Sequence, residues 1–124
     1  MTMLTMTKII VTDLKRSEAF YRAVCGLDQV ERLSGEGFEE VIMRSSAAPG
    51  GAVLILFADG TSPPPGEAVL VFETPDVDAF AARVIAAGGT VVHAPQTAEA
   101  MGLRFAMFKD CEGHMLEALA RLQG

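Results

Sequence analysis

The chain has 124 residues, half of them hydrophobic and about a fifth charged, with a mean hydropathy of +0.32; this excludes disorder and allows one compact unit burying roughly two-thirds of the unfolded chain's surface. A net charge of −6 with no basic run argues against nucleic acid and anionic membrane surfaces, and leaves a small neutral or cationic molecule, or another protein, as partner. No apolar run approaches the roughly 20 residues of a membrane span, the opening MTMLTMTKII lacks the features of a secretory signal, and Cys25 and Cys111 stand far apart in no metal spacing, so a reduced cytoplasm is expected.

The first β-like run, MTKIIVT, leads to Asp13, placed to cap a helix over residues 14–25 whose apolar face is Phe20, Tyr21 and Val24 and whose stop is Gly26. Short β-like runs follow at about 28–33, 38–45 and 51–58. DGTSPPPGEA, residues 59–68, is the densest cluster of breakers, and its consecutive prolines exclude both helix interior and central strand. Beyond it the pattern starts again with AVLVFET. Asp76 is placed to cap a helix over 77–87, with Phe80, Val84 and Ile85 inward and Gly88 and Gly89 as terminator. Runs at about 90–93 and 103–109 come next, joined by APQTAEAMG, residues 94–102, which has no strong period. The last segment, HMLEALARL, is helical by local propensity.

Asp13 to Gly26 spans the same interval as Asp76 to Gly89, which reads as an internal duplication. The expected organisation is one domain over 1–124: a first module at about 1–58, a linker at about 59–66 and a second module at about 67–124. Neither half would bury much alone, so the two are expected to share one core.

The β-α-β-β-β order twice over, with VTDLKRSEAFYRAVCGL near the start and FAMFKDCEGHMLEAL near the end, resembles the vicinal oxygen chelate superfamily, which includes glyoxalase I, bleomycin-resistance proteins and extradiol dioxygenases. The resemblance covers essentially the whole chain. It implies an α+β fold of two βαβββ modules in tandem, each curling a half-barrel sheet around a cleft with one helix packed outside. It also makes the last segment a strand, tertiary pairing overriding propensity, and it makes residues 94–102 a lid over the cleft.

Metal-dependent members of that superfamily hold their ion with four ligands, typically His, Glu, His or Gln, and Glu. Matching the motifs places the four positions at Met6, Ile55, Glu67 and Glu117. Only the two glutamates suit a hard divalent ion; Met6 offers a soft thioether and Ile55 no donor. Three uses of Glu67 and Glu117 are open. They hold a weakly bound Mg, Mn, Ni, Co or Zn ion that polarises a carbonyl while a carboxylate moves a proton. Or they sit in a metal-free pocket, where like charges raise at least one pKa and suit it to a proton or a cationic group. Or Glu67 is solvated at a strand end while Glu117 pairs with a basic residue.

Other candidates surround these. Lys8 should turn to the same side as Met6, where it can neutralise a carboxylate, bind an anionic group or snorkel to water. Arg44 and Arg104 can clamp a carboxylate or phosphate, or form surface ion pairs. Met6, Met101 and Met107 can give a pocket an adaptable wall. His93 and His114 fall at no ligand position, Cys25 reads as core, and a Cys111–His114 nucleophile lacks an activating environment. The missing ligands favour a binding or sequestering protein, without cofactor or with a weakly held cation, taking a small organic ligand as a homodimer. The alternative is a lyase or isomerase of the glyoxalase I type, with Glu117 or Glu67 as base.

Overall fold

A computed structural model describes residues 1–66 and 68–123. The elements in chain order are β1 (Met6–Ile10), α1 (Leu14–Cys25), β2 (Leu27–Gly35), β3 (Phe38–Ser45), β4 (Val53–Ala58), β5 (Val69–Glu73), α2 (Val77–Ala86), β6 (Thr90–Ala98), a 3-10 turn (Glu99–Met101), β7 (Leu103–Lys109) and β8 (Met115–Arg121). This is the α+β arrangement of two βαβββ modules that the resemblance implies. The chain divides into two compact units, Met1–Pro64 and Pro65–Gly124. Among the described residues, no helix is long and apolar enough to cross a membrane.

The first unit is an open sheet of order β1-β4-β3-β2. Strand β1 runs parallel to β4, which runs antiparallel to β3. Helix α1 starts where the Asp13 side chain accepts from the Arg16 amide at 3.1 Å, satisfying one orphan N–H of the first turn. It stops at Gly26, whose φ of 66° is the left-handed conformation that glycine adopts without cost. The helix buries Phe20, Tyr21 and Val24 on a layer made by Val41, Met43, Leu54 and Leu56. Glu18, also buried, ties the helix to β2, accepting from Arg32 at 2.6 Å and from Arg22 at 3.0 Å. A cavity of about 450 Å³ opens beside these residues, but its guanidiniums are already held by Glu18, and Arg32 also meets Glu39 at 3.4 Å.

The second unit repeats the plan as β5-β8-β7-β6. Asp76 caps α2 by accepting from the Ala79 amide at 3.0 Å. The helix buries Val77, Phe80 and Val84 on Ala106, Phe108, Leu116 and Ala118. Each helix therefore packs on an apolar layer of its own sheet.

One local reading changes, and one conflict between propensity and resemblance is decided. Residues 94–98 belong to β6, paired to β7 as Gln96↔Phe105, Thr97↔Arg104 and Ala98↔Leu103, so most of the expected lid is strand. Pro95 lies within this strand. It is tolerated because β6 is an edge strand and the ladder is irregular between His93 and Gln96, leaving a proline there no ladder bond to break. Residues 115–121 form the strand that the resemblance implies, against their local helical propensity, because β8 lies between β5 and β7 and buries Leu116 and Ala118 at every second residue.

Arg104 shows what one sheet face does with charge. It donates through Nε and Nη2 to the two carboxylate oxygens of Asp78, both at 2.9 Å, and through Nη1 to Thr97 Oγ1 at 3.1 Å. The bonds from Arg104 hold the Asp78 carboxyl below its ordinary range. A carboxyl with a depressed folded pKa stabilises the fold above the ordinary range, and this contribution fades as pH falls through the folded value. Arg104→Ala is expected to move the Asp78 carboxyl ¹³C titration midpoint up to the ordinary range; an unmoved midpoint contradicts the assignment.

Candidate functional site

Each sheet has one face under its helix and one free of it. On β8 the buried Leu116 and Ala118 face α2, so Met115, Glu117 and Leu119, all half-buried, point to the helix-free side. Across that side the ladders set a row of Val71, Glu117, Met107 and His93. Val71 and the neighbouring Val69 are 55% and 39% exposed. Glu117 has no hydrogen-bond or ion-pair partner among the described residues. It is an acceptor-only group set among apolar side chains, chemically suited to an ammonium, amidinium or hydroxyl donor.

The other sequence candidates fall into two groups. Met6, Lys8, Ile55 and Arg44 share the helix-free side of the first sheet, with Lys8↔Ile55 and Ile42↔Ile55 in register and Arg44 in line with Ile42 on β3. Lys8 Nζ lies 3.5 Å from Glu40 Oε2 and 4.8 Å from the centroid of the Phe57 ring. Arg104 and Met101 are not brought to a helix-free face. Arg104 pairs across from Ala120 on the side that carries α2, which is why it meets Asp78. Met101 stands 70% exposed in the 3-10 turn rather than in a wall. Glu67 lies outside the described residues.

The parallel ladders relate places in the two sheets by register. Met6 pairs with Val53, two residues before Ile55, and Val69 pairs with Met115, two residues before Glu117. Val69 is therefore the register counterpart of Met6. At these places the first sheet holds a thioether and an aliphatic side chain and the second an aliphatic side chain and one carboxylate, so neither sheet by itself supplies a complete donor set for a divalent ion. Among the described residues there is no group of three or more His, Cys, Asp and Glu side chains able to hold a metal.

One residue escaped sequence reasoning altogether. Glu40, on β3, is buried on the helix-free side of the first sheet. Alternation along FEEVIMRS was the available signal, since it sets Glu40, Ile42 and Arg44 on one side and Val41 and Met43 on the other. The Asp110–His114 contact, with Nδ1 at 2.9 Å from Oδ2, belongs to the turn before β8.

A family model described as the Glyoxalase/Bleomycin resistance protein/Dioxygenase superfamily matches residues 3–118. Among solved structures, the fold is similar to a glyoxalase I mutant from Zea mays, with a TM-score of 0.82 at 21% identity over 94% of this chain and 45% of that one. The chain thus spans less than half of the maize protein. It is also similar to a glyoxalase family protein from Bacillus cereus, with a TM-score of 0.81 at 19% identity over 97% and 94% of the two chains. A glyoxalase/bleomycin resistance protein from Albidiferax ferrireducens T118 matches with a TM-score of 0.74 at 26% identity over 97% and 99%. No curated protein matches the chain.

Proposed function

Because the chain belongs to the Glyoxalase/Bleomycin resistance protein/Dioxygenase superfamily, we propose that it is a small-molecule-binding member of that superfamily, which captures a small organic compound in the cytoplasm, as a homodimer, without transforming it. The observation that carries this reading is Glu117, a half-buried carboxylate on the helix-free face of the second sheet, beside Met107 and Val71 and without a partner among the described residues. Leaving a partly desolvated charge unpaired is costly unless a ligand supplies the missing donor. The surrounding methionine, valine and leucine side chains provide the apolar floor for the rest of the molecule. Charge supports a cationic ligand, since residues 65–124 carry eight acidic and four basic side chains while residues 1–64 are closer to balance, with eight and six.

The test uses rhodamine 6G, a planar organic cation whose fluorescence anisotropy reports binding. Wild-type protein is expected to bind it saturably, and Glu117→Gln to weaken binding at least about tenfold, as loss of one hydrogen bond to a charged group implies. Equal affinity in the two proteins refutes the anchor. Protein purified without chelator is measured for Mg, Mn, Ni, Co and Zn alongside. Stoichiometric metal that disappears in Glu117→Ala would replace this reading with a metal-dependent lyase or isomerase acting next to a carbonyl or thioester.

A further inference from the structure

The first sheet carries a second polar group that the Glu117 reading does not use. Glu40 is 9% exposed, and its Oε2 has no hydrogen-bond partner among the described residues. The Lys8 ammonium lies 3.5 Å away, a charge contact beyond good hydrogen-bond length. The same ammonium sits over the Phe57 ring, and Phe57 stacks on Phe38 with centroids 5.7 Å apart and planes 16° from parallel. Ile42 and Ile55 lie next to this group in the ladder. A buried carboxylate oxygen left without a donor is among the more expensive features a fold can keep. Glu39 next to it has an ordinary structural use, reaching Arg32. Glu40 has none that satisfies Oε2.

What the group offers is an acceptor and a three-donor cation side by side, against a flat aromatic wall. A simple cation does not fit, because Lys8 repels it. A simple carboxylate meets Glu40 and is repelled unless a hydrogen lies between the two acids. A metal ion finds one carboxylate with an ammonium already against it. The complementary ligand has a hydroxyl donor adjacent to an anionic acceptor and an apolar substituent. The geometry points to a binding site for an aryl-substituted α-hydroxy acid: the hydroxyl donates to Glu40 Oε2, the carboxylate accepts from Lys8 Nζ, and the substituent packs on Phe38 and Phe57.

Mandelate is the probe, with phenylacetate as the same molecule lacking the hydroxyl. Ile42 and Ile55 methyl signals of the full-length protein, ¹³C-labelled at isoleucine, report binding by NMR. Mandelate is expected to shift both methyls saturably and to bind at least about tenfold more tightly than phenylacetate, the difference one charge-assisted hydrogen bond makes. Lys8→Met, at a side chain 48% exposed and so tolerant of change, is expected to weaken both acids. Glu40→Gln is expected to bring the ratio between them to within about threefold, whatever it does to absolute affinity. Unshifted methyls, equal affinity of wild-type protein for the two acids, or an unchanged ratio in Glu40→Gln would each overturn the assignment. The comparison of two ligands on wild-type protein needs no variant, so a Glu40→Gln protein that fails to fold leaves the test standing.

Discussion

Phe80→Ala is expected to cost the second unit about 3–5 kcal/mol, the usual loss for truncating a fully buried phenylalanine. The ring is 1% exposed. Its centroid lies 5.4 Å from that of Phe108 on β7 and 6.1 Å from that of Phe72 on β5, and the Arg83 guanidinium lies over the ring at 5.4 Å from its centroid. Phe72 and Phe108 come from the strands on either side of β8, so Phe80 is the point where α2 engages the sheet across its central strand. The layer around it also holds Ala81, Ala106 and Ala118, whose short side chains cannot move in to fill the space, and unfilled volume adds to the transfer loss. Against the roughly 5–15 kcal/mol that a domain of this kind has in total, the change removes from about a fifth of the margin to all of it. A urea unfolding midpoint measures it; a loss below about 1 kcal/mol would mean the ring is not the keystone of the helix–sheet contact.

Features decided within a few residues were legible in the sequence. Asp13 and Asp76 cap their helices through amides three residues on, and the stop at Gly26 needs only a left-handed φ. Features decided by distant partners were not. MLEAL is helical by every local preference and becomes strand because β5 and β7 flank it. The run expected over 90–93 extends to Ala98, past a stretch with no strong period, because β6 pairs with β7 at the edge of the sheet, which nothing local says. For the site, matching motifs set Met6 beside Glu67, whereas Met6 and Val69 each stand seven residues before the aspartate that caps the next helix. A two-residue difference keeps side-chain parity, so alternation alone could not tell the two apart. The Lys8–Glu40 contact needed the register of β1, β4 and β3 together, which no single stretch of sequence contains.

Register is also what makes Asp110→Ala the most consequential change near Glu117. The Asp110 side chain is fully buried, and its Oδ1 accepts from the amides of Glu112 at 2.8 Å and His114 at 2.9 Å. The Asp110 amide donates to the His114 carbonyl at 2.8 Å, and Gly113, at a φ of 98°, closes the loop. These bonds fix the number of residues between Lys109 and Met115, the first pair of the β7–β8 ladder. Alanine leaves two amides without their acceptor, and an expected loss of about 2–4 kcal/mol follows if both stay buried. Asparagine keeps an oxygen at Oδ1 and is expected to lose less. Besides stability, the turn protects parity: a slip of one residue would carry Glu117 to the side of α2 and bring Leu116 and Ala118 out. Hydrogen exchange at the amides of residues 115–121 reads this directly. In Asp110→Ala they should exchange faster than stability alone requires, with the ladder nearest the turn opening first. Uniform exchange that tracks global unfolding would mean that packing against α2, rather than the turn, holds Glu117 on its face.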